Sequence, residues 1–210
     1  MKQVSIIDYG IGNILSVKRA FENQGALVKF VSEPMSIMQA ERIVLPGVGA
    51  FKNGMEELKK RDLIQSIQMY CKENRPFLGI CLGMQMMMEL SEEFGETSGL
   101  GIIPGKVLRI ENTDVDGIYH KIPHIGWNRL QYVNNIKGTI LESVSQGSFM
   151  YFVHSYTVIP EKESYRLADV FYGGRRLSAV IQKGNCYGVQ FHPEKSGKIG
   201  LNLLQSFLKV

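Results

Sequence analysis

The sequence predicts an α/β fold built on a mostly parallel open sheet, with helices on both faces and an antiparallel β extension in the second half. Three observations support this prediction. Apolar strand-like runs alternate with segments of helical spacing through residues 4–80, a pattern typical of parallel sheets covered by helices. Shorter segments rich in Tyr, Phe and Val dominate residues 105–188. Hydrophobic residues make up 44% of the 210-residue chain, which is enough for a substantial core.

The first predicted unit is a strand, a helix and a second strand. The apolar run from Val4 to Gly10 predicts a strand that ends at glycine. Asn13 can cap the following helix, and Gly25 lies where a helix commonly ends. Three apolar residues of this helix follow i, i+3, i+7 spacing: Ile14, Val17 and Phe21. The second strand is predicted at Leu27–Val31.

The same alternation continues toward the middle of the chain. The further predicted elements are a short helix starting at Pro34, a strand and loop at Arg42–Gly49, helical turns around Leu58, Leu63, Ile64 and Ile67, and a strand at Pro76–Ile80. The segment MQMMMEL, from Met84 to Leu90, is expected to be a helix whose methionines belong to the core.

The second half of the chain predicts short strands. The β-rich segments are KVLRI, SFMYFVH, YRLADVFY, LSAVIQ and YGVQF, separated by turns such as Asn134-Asn135 and Gly173-Gly174. The C-terminal segment carries Ile199, Leu203 and Phe207 on one face and predicts a closing helix. No linker-like composition, repeat or low-complexity tract interrupts the chain, so one domain over residues 1–210 is expected.

Composition and charge argue against several classes of function. The net charge of +4 is spread in short mixed clusters, so neither a nucleic-acid partner nor a membrane surface is expected. No apolar window of about 18 residues exists, and three cysteines are too few for a disulfide framework, so a cytoplasmic protein with reduced thiols is expected. No metal-ligand spacing is present, and two Gly-x-Gly stretches lack the third glycine of a dinucleotide site, so neither a metal nor a cofactor is expected.

The segment from Gly79 to Gly83, with Cys81 at its centre, predicts a cysteine nucleophile. It follows a predicted strand and precedes a predicted helix, which is the context of a nucleophile elbow. Glycines on both sides let the two arms of the bend pack closely, and a helix N-terminus favours thiolate over thiol. The backbone N–H of Leu82 would face a developing oxyanion. A buried cysteine with incidental glycines is the alternative, because the pattern G-x-C-x-G is weak by itself.

His192, in the segment YGVQFHPEKS, is the best candidate for a base. It comes directly after a short apolar strand, and Glu194 follows two residues later. Residues i and i+2 of an extended chain point to the same side, so the glutamate could orient the imidazole toward the thiol. A surface histidine beside an unrelated acid is the alternative. A third element, PGVGAF from Pro46 to Phe51, also follows a strand, and its glycines leave backbone N–H groups free to approach a ligand or an oxyanion.

The three motifs PGVGAF, GICLGMQ and GVQFHPEKS, in that order, resemble those of the class I (triad-type) glutamine amidotransferases. The resemblance spans residues 46–196 and implies the glutamine amidotransferase-like fold of that class. It also implies a catalytic triad with Cys81 as nucleophile, His192 as base and acid, and Glu194 as the group that orients the imidazole. The backbone N–H groups of Leu82 and Val48 are the candidates for the oxyanion hole.

The resemblance further implies a set of glutamine-binding residues: Gly47, Gln85, Glu93, Ser155 and Tyr156. Gln85 follows the nucleophile by four residues, and Gly47 lies in the glycine loop. The backbone of Ser155 and Tyr156 would meet the α-carboxylate of L-glutamine, and Glu93 could face its α-amino group. A solvated acid at a helix end is the alternative for Glu93.

Two further stretches narrow the resemblance. DYGIGN, from Asp8 to Asn13, and KIPHIGWN, from Lys121 to Asn128, resemble the glutaminase subunits of imidazole glycerol phosphate synthases. This implies a heterodimer with a separate (β/α)8-barrel cyclase subunit of histidine biosynthesis, which consumes the ammonia. Four residues are expected at that interface: Tyr9, Asn13, Trp127 and Lys195. A core aromatic role is the alternative for Trp127.

Three rival functions stay open on the sequence alone. The fold could serve a non-catalytic partner-binding module, or the cysteine could belong to a different hydrolase such as a small peptidase. The same glutaminase chemistry could also feed another synthase, for example a sugar-amidating enzyme. The motifs belong to a shared scaffold, so they do not exclude this last function.

Overall fold

A central eight-stranded sheet organises the structure, a computed structural model that describes residues 1–210. Its strands, in spatial order, are β2 (Leu27–Val31), β1 (Gln3–Ile7), β3 (Ile43–Gly47), β4 (Phe77–Cys81), β14 (Cys186–Val189), β13 (Arg175–Lys183), β12 (Arg166–Tyr172) and β9 (Gln131–Tyr132). The first five are mutually parallel, and each of the last three pairs antiparallel with its neighbour. This arrangement confirms the predicted parallel sheet with an antiparallel extension.

Six α-helices accompany the sheet: α1 (Ile14–Asn23), α2 (Pro34–Met38), α3 (Phe51–Lys60), α4 (Leu63–Lys72), α5 (Leu82–Met86) and α6 (Gly197–Phe207). None of them combines the length and the apolar character needed to cross a membrane. The side chain of Asn13 caps α1 by accepting a hydrogen bond from the Ser16 N–H at 3.3 Å. Gly25, with φ +77°, follows the helix in the left-handed conformation that ends many helices.

Two apolar cores lie on opposite faces of the central sheet. Val44 of β3 belongs to one core, whereas its neighbours Ile43 and Leu45 belong to the other, because successive side chains of a strand point to opposite faces. The first core includes residues of α1 and α6, and the rings of Phe21 and Phe207 meet edge to face at 6.2 Å. The second core includes residues of α2, α3 and α4. Packing on both faces therefore holds the carboxyl ends of the parallel strands at one edge.

Two smaller sheets complete the fold. The predicted strands at KVLRI and SFMYFVH form, but they lie in these separate sheets and not at the edge of the central sheet. One consists of β11 (Tyr156–Pro160), β7 (Ile103–Arg109), β5 (Met88–Ser91) and β6 (Thr97–Ser98), and the other pairs β8 (His124–Arg129) with β10 (Phe149–His154). The predicted helix from Met84 to Leu90 is wrong in its second half, since α5 ends at Met86 and Met88 begins a strand. Met88 pairs with Ile103 of β7, and this tertiary pairing overrides the helix preference of a methionine run.

Candidate active site

Cys81 lies at the sharp bend between β4 and α5. Its backbone has φ +55° and ψ −109°, a conformation that residues with a side chain rarely adopt. A Cβ added to Gly83 would lie 1.8 Å from the carbonyl oxygen of Leu45, and one added to Gly79 would lie 2.6 Å from the carbonyl oxygen of Gly83. Both glycines are therefore needed for the close approach of the two arms. The bend places the buried thiol at the carboxyl edge of the parallel strands, where such sheets have their sites.

His192 and Glu194 reach the thiol from the end of β14. The Nδ1 atom of His192 lies 2.8 Å from Oε1 of Glu194. His192 and Cys81 line the same cavity, and the interaction with Cys81 is one of the causes that raise the pKa of His192. The imidazole and the carboxylate are 5% and 1% exposed, respectively. The structure thus brings the three residues into the order nucleophile, imidazole, carboxylate.

The route of the backbone between these residues differs from the expected one. Pro193–Lys195 form a short 3-10 helix rather than an extended chain, so the i, i+2 argument for an extended strand is wrong here. The turn brings the carboxylate of Glu194 back toward the imidazole. Its geometry is held by Ser196, whose hydroxyl donates to the His192 carbonyl oxygen at 2.7 Å and accepts from the Tyr151 N–H at 3.0 Å.

The charge state of His192 follows from its neighbours. Burial lowers the pKa of His192, but hydrogen bonds and Coulombic attraction from Cys81 and Glu194 outweigh burial and raise the pKa to about 9. The ring is therefore an imidazolium at neutral pH. A cation next to a cysteine favours the thiolate, which is the nucleophilic form.

A cavity of about 610 Å³ opens in front of the thiol. Among the sequence-predicted residues, its lining contains Val48, Cys81, Leu82, Gln85, Glu93, Ser155, Tyr156 and His192. The remaining lining residues are Gly49, Phe94, Arg109, Pro123, Val153 and His154. The nucleophile, both oxyanion-hole candidates and most of the predicted substrate contacts therefore face one space.

Gly47 and Tyr9 do not take the positions that the sequence predicted. Gly47 is buried beneath the cavity and does not line it, since a Cβ there would be 2.4 Å from the Tyr9 hydroxyl; Gly49 lines the cavity instead. Tyr9 is fully buried, which contradicts its predicted place at a partner interface. The Tyr9 hydroxyl donates to the carbonyl oxygen of Pro46 at 2.9 Å, so the first loop folds under the glycine loop and supports it from below.

Glu93 is buried at the edge of the cavity. Its Oε2 atom accepts a hydrogen bond from the N–H of Phe51, the first residue of α3, at 2.6 Å. A carboxylate at this position satisfies a free helical N–H and complements the positive end of the helix dipole. The alternative of a solvated acid at a helix end is therefore wrong. Because α3 starts right after the glycine loop, Glu93 anchors the end of that loop.

Gln190 is a site residue that the sequence patterns did not reveal. It is fully buried, and its Nε2 atom lies 3.7 Å from the Sγ atom of Cys81. Its Oε1 atom accepts a hydrogen bond from Nε2 of Gln85 at 3.1 Å, and the same nitrogen donates to the Tyr156 carbonyl oxygen at 3.2 Å. The available signal was an amide side chain in the otherwise apolar strand YGVQF, two residues before His192.

The other predicted interface residues are exposed. Trp127 is 55% exposed, with its ring edge to face against Tyr151 at 5.9 Å, so the core alternative for Trp127 is wrong. Asn13 and Lys195 are exposed as well, although the Asn13 side chain is used as a helix cap. Ile125, two residues before the tryptophan, is 58% exposed.

A doubly covered α/β sheet with a cysteine at a strained strand-to-helix bend fits the class I glutamine amidotransferases, and comparison with known proteins agrees. Residues 5–210 match the family model described as glutamine amidotransferase class-I. The chain belongs to this family of glutamine-hydrolysing enzymes.

More specifically, the chain is similar to imidazole glycerol phosphate synthase subunits. It is 51% identical over 215 residues to "Imidazole glycerol phosphate synthase subunit HisH 1" of Legionella pneumophila (strain Lens), and the alignment covers all of both chains. It is 42% identical to the HisH subunit of Geobacillus sp. (strain WCH70), over 99% of this chain and 96% of the relative.

Solved structures of low sequence identity share the fold. PurLQS from Thermotoga maritima superposes with a TM-score of 0.75 at 19% identity, covering 100% of this chain and 99% of that one. A glutamine amidotransferase from Thermotoga maritima gives a TM-score of 0.68 at 18% identity, covering 99% of this chain and 96% of that one. The glutamine amidotransferase-like fold implied by the sequence motifs is therefore confirmed.

Proposed function

We propose that the chain hydrolyses L-glutamine to L-glutamate and ammonia through Cys81, His192 and Glu194, as the glutaminase subunit of an imidazole glycerol phosphate synthase in histidine biosynthesis. The observation that carries the proposal is that the strained Cys81 lines one cavity together with His192, whose ring is hydrogen-bonded to Glu194. The relatives named HisH support the assignment to this synthase rather than to another ammonia-consuming enzyme.

The proposed reaction begins with attack of the Cys81 thiolate on the side-chain carboxamide carbon of glutamine. The tetrahedral intermediate carries an oxyanion, which the backbone N–H groups of Leu82 and Val48 would hold. His192 then gives its proton to the departing nitrogen, so that ammonia leaves and a thioester remains. The neutral imidazole next takes a proton from water, the hydroxide attacks the thioester, and glutamate departs with the thiolate restored.

The Gln190 amide assists the proposed reaction. Its Nε2 atom faces Sγ of Cys81, and a hydrogen bond to the charged form of a group favours that form. Glu194 keeps its partner ring oriented and stabilises the imidazolium through the contact at Nδ1. Each step thus uses a group that already lies at the reacting atom or one contact away.

Covalent labelling tests the proposed chemistry directly. A diazoketone analogue of glutamine should alkylate Cys81, with the adduct located by peptide mass spectrometry, and free L-glutamine should protect the thiol in proportion to its concentration. A peptide-based electrophile of similar reactivity is the control. Preferential labelling by the peptide reagent, without protection by glutamine, would instead support the small-peptidase function.

The partner is proposed to be a separate (β/α)8-barrel cyclase subunit that receives the ammonia. The face formed by β8 and β10 is suited to a protein partner, because it exposes Ile125, Trp127 and Phe149, and Arg129 stacks over Phe149 at 4.8 Å. Aromatic residues and arginine are enriched in protein interfaces. Lys195 and Asn13 are proposed to lie at the margin of the same junction.

Alanine at Trp127 should weaken the complex by about 30-fold in Kd, because an exposed aromatic anchor typically contributes about 2 kcal/mol or more at an interface. Titration of the labelled barrel subunit, followed by fluorescence anisotropy, measures the change. Met69→Ala, at a similarly exposed apolar residue on α4, is the matched control and should leave Kd unchanged. If both substitutions changed Kd to the same extent, Trp127 would not lie at the interface with the barrel subunit.

Glutamate release is expected to be slow in the isolated chain and faster once the barrel subunit is bound together with its ligand. Both ends of the glycine loop are anchored, by the Tyr9 contact to Pro46 and the Glu93 contact to Phe51. Between these anchors Val48, at 45% exposure, and Gly49 are open to the solvent, so their peptide groups can reorient on partner binding. A coupled glutamate assay with and without the partner measures the effect, and identical rates would show that partner binding does not activate the site.

Replacement of Glu194 by Gln should shift the alkaline limb of kcat/KM to lower pH. The folded pKa of His192 is about 9, and the carboxylate of Glu194 is one of the causes that raise it. The imidazolium that protonates the departing nitrogen is present below that pKa and is lost as the pH rises through it. A neutral amide at this position has no charge to raise the pKa of His192. As the pH rises, the activity of the variant should therefore begin to fall at a lower pH than that of the wild type. If the alkaline limb of kcat/KM stayed near pH 9 in Glu194→Gln, the carboxylate would not be a cause of the raised pKa of His192.

A further inference from the structure

Two buried histidines beside the cavity take no part in the proposed reaction. His154 and His124 are 5% and 3% exposed. The Nδ1 atom of His154 lies 2.8 Å from the Tyr156 carbonyl oxygen, and its Nε2 atom lies 3.0 Å from Nδ1 of His124. Nε2 of His124 lies 3.3 Å from Nδ2 of Asn128, and the same amide nitrogen donates to the Phe171 carbonyl oxygen at 2.9 Å.

These contacts have only one consistent direction. A carbonyl oxygen can only accept, so His154 must carry its proton on Nδ1, and its neutral ring then accepts at Nε2. His124 must therefore donate from Nδ1 and accept at Nε2 from the amide of Asn128. The relay of Asn128, His124 and His154 donates at every step toward Tyr156, and both imidazoles are Nδ1–H tautomers.

The surroundings keep both rings neutral. Burial, and secondarily the charge of His120, lowers the pKa of His124 to about 4. Burial lowers the pKa of His154 to about 3, with a partly opposing hydrogen bond to Tyr156 and further lowering by His124 and His192. A protonated ring would have to point a second N–H at another donor, so neutrality is a condition of the relay.

Packing fixes the orientation of the relay. The ring of His124 stacks on Phe152 at a centroid distance of 5.2 Å and contacts the ring of Tyr172 at 4.4 Å. Along β8, His124 is buried and Asn128 half-buried, while Trp127, between them in sequence, is exposed. The relay therefore runs along the inner face of the strand whose outer face is proposed to meet the partner.

The relay ends at a carbonyl that also orders the substrate side of the cavity. The Tyr156 oxygen accepts from both His154 and Gln85, and Gln85 contacts Gln190, which contacts the Cys81 sulfur. An acceptor held by two donors from different elements has little freedom to rotate its peptide plane. The adjoining backbone of Ser155 lines the cavity in front of the thiol.

We propose that His154, held neutral and oriented by His124 and Asn128, is a positioning residue for glutamine: it fixes the Tyr156 carbonyl and, through it, the Ser155–Tyr156 backbone that meets the α-carboxylate. The inference rests on the proposed glutaminase function. The α-carboxylate is remote from the carboxamide that reacts, so this contact contributes equally to ground state and transition state. Its loss raises KM and leaves kcat nearly unchanged.

Two isosteric substitutions separate the two nitrogens of His154. The amide nitrogen of asparagine occupies the place of Nδ1, so His154→Asn keeps the bond to Tyr156. Glutamine places its amide at the position of Nε2, so His154→Gln loses that bond. In the complex with the barrel subunit, KM for L-glutamine is expected to rise about tenfold in His154→Gln. It should stay within about threefold of the wild type in His154→Asn, with kcat within about threefold in both.

Other kinetic outcomes would overturn the proposal. Unchanged KM in both variants would show that the carbonyl needs no donor from residue 154. A fall in kcat without a rise in KM would assign His154 to the chemical step or to general packing. If the wild-type complex released no glutamate at all, the proposed function would fail, and the kinetic comparison would fail with it.

A spectroscopic readout that needs no activity keeps the relay testable in that case. The chain has four histidines, so long-range 1H–15N spectra of a 15N-histidine-labelled sample resolve each tautomer. His124 and His154 should be neutral Nδ1–H tautomers between about pH 6 and 8. His120 is the internal reference for the opposite tautomer, because its Nε2 atom lies 2.7 Å from the Glu111 carbonyl oxygen. An Nε2–H tautomer at either relay histidine would disprove the relay.

Discussion

Replacing Cys81 by alanine is expected to lower glutamate release by at least about 10⁴-fold, since removal of the nucleophile in a triad leaves only the contribution of binding and oxyanion stabilisation. No other thiol can substitute for it. Cys186 lies at the start of β14, with its sulfur 3.9 Å from the carbonyl oxygen of Cys71, and both residues line a second cavity rather than the one in front of Cys81. The coupled glutamate assay on the complex with the barrel subunit measures the loss.

Two controls make the Cys81→Ala result specific. Cys71→Ala and Cys186→Ala remove the remaining thiols and should keep glutaminase activity. The Cys81→Ala chain should still bind the barrel subunit with unchanged Kd, because the thiol lies inside the cavity and Trp127 lies on the outer face of β8. Native glutamate release from Cys81→Ala would leave the fold as a non-catalytic module with a contaminating activity, and the proposed reaction would be abandoned.

The bend at Cys81 shows which part of the site could be predicted from sequence. Gly79 and Gly83 flank Cys81 at the spacing of a nucleophile elbow, so the sequence already indicated a tight bend there, and the structure shows that neither glycine has room for a Cβ. The side chains that meet at 2.8 Å in the His192–Glu194 pair are two residues apart, so their proximity was also a local property. The fold class could be predicted for the same reason, because each strand and each helix shows its own hydrophobic pattern in the sequence.

The errors lie where burial depends on residues distant in sequence. Tyr9 was predicted at the surface, and it is buried because its loop folds under Pro46, 37 residues away. Met88 was predicted in a helix, but it begins strand β5 and pairs with Ile103 of β7. Gln190 was not identified, because its contact with Cys81 joins residues 109 positions apart. None of these contacts leaves a periodic pattern in the sequence, since each joins residues that are far apart along the chain.

The glycine loop illustrates how such distant contacts determine function. A Gly-x-Gly segment after a strand indicates free N–H groups, but it does not show which peptide faces the ligand. The Tyr9 hydroxyl beneath Gly47 leaves no room for a side chain there, and the carboxylate of Glu93 holds the first turn of α3. The loop is consequently anchored at both ends, and Val48 and Gly49, rather than Gly47, face the cavity.

Replacement of His192 by asparagine should lower kcat by about 10⁴-fold, comparable to the loss expected for the nucleophile, because triad residues act as a unit. The amide of asparagine can still donate to Glu194 from the position of Nδ1, so the substitution removes the group that faces the thiol and leaves the pairing with the carboxylate. His120→Asn, at a histidine outside the cavity lining, is the matched control and should retain glutaminase activity.

The same variant distinguishes loss of chemistry from loss of structure, because the reactivity of Cys81 can be followed without turnover. Without an imidazolium beside it, the thiolate of Cys81 loses its stabilising cation. Alkylation by iodoacetamide, followed by mass spectrometry of the Cys81 peptide, should therefore slow at pH 7 in His192→Asn, and its rate should rise only at higher pH. The wild type and His120→Asn should react rapidly already at neutral pH. An unchanged pH profile of alkylation in His192→Asn would mean that the imidazole does not control the thiolate, and the ion pair on which the proposed attack depends would be excluded.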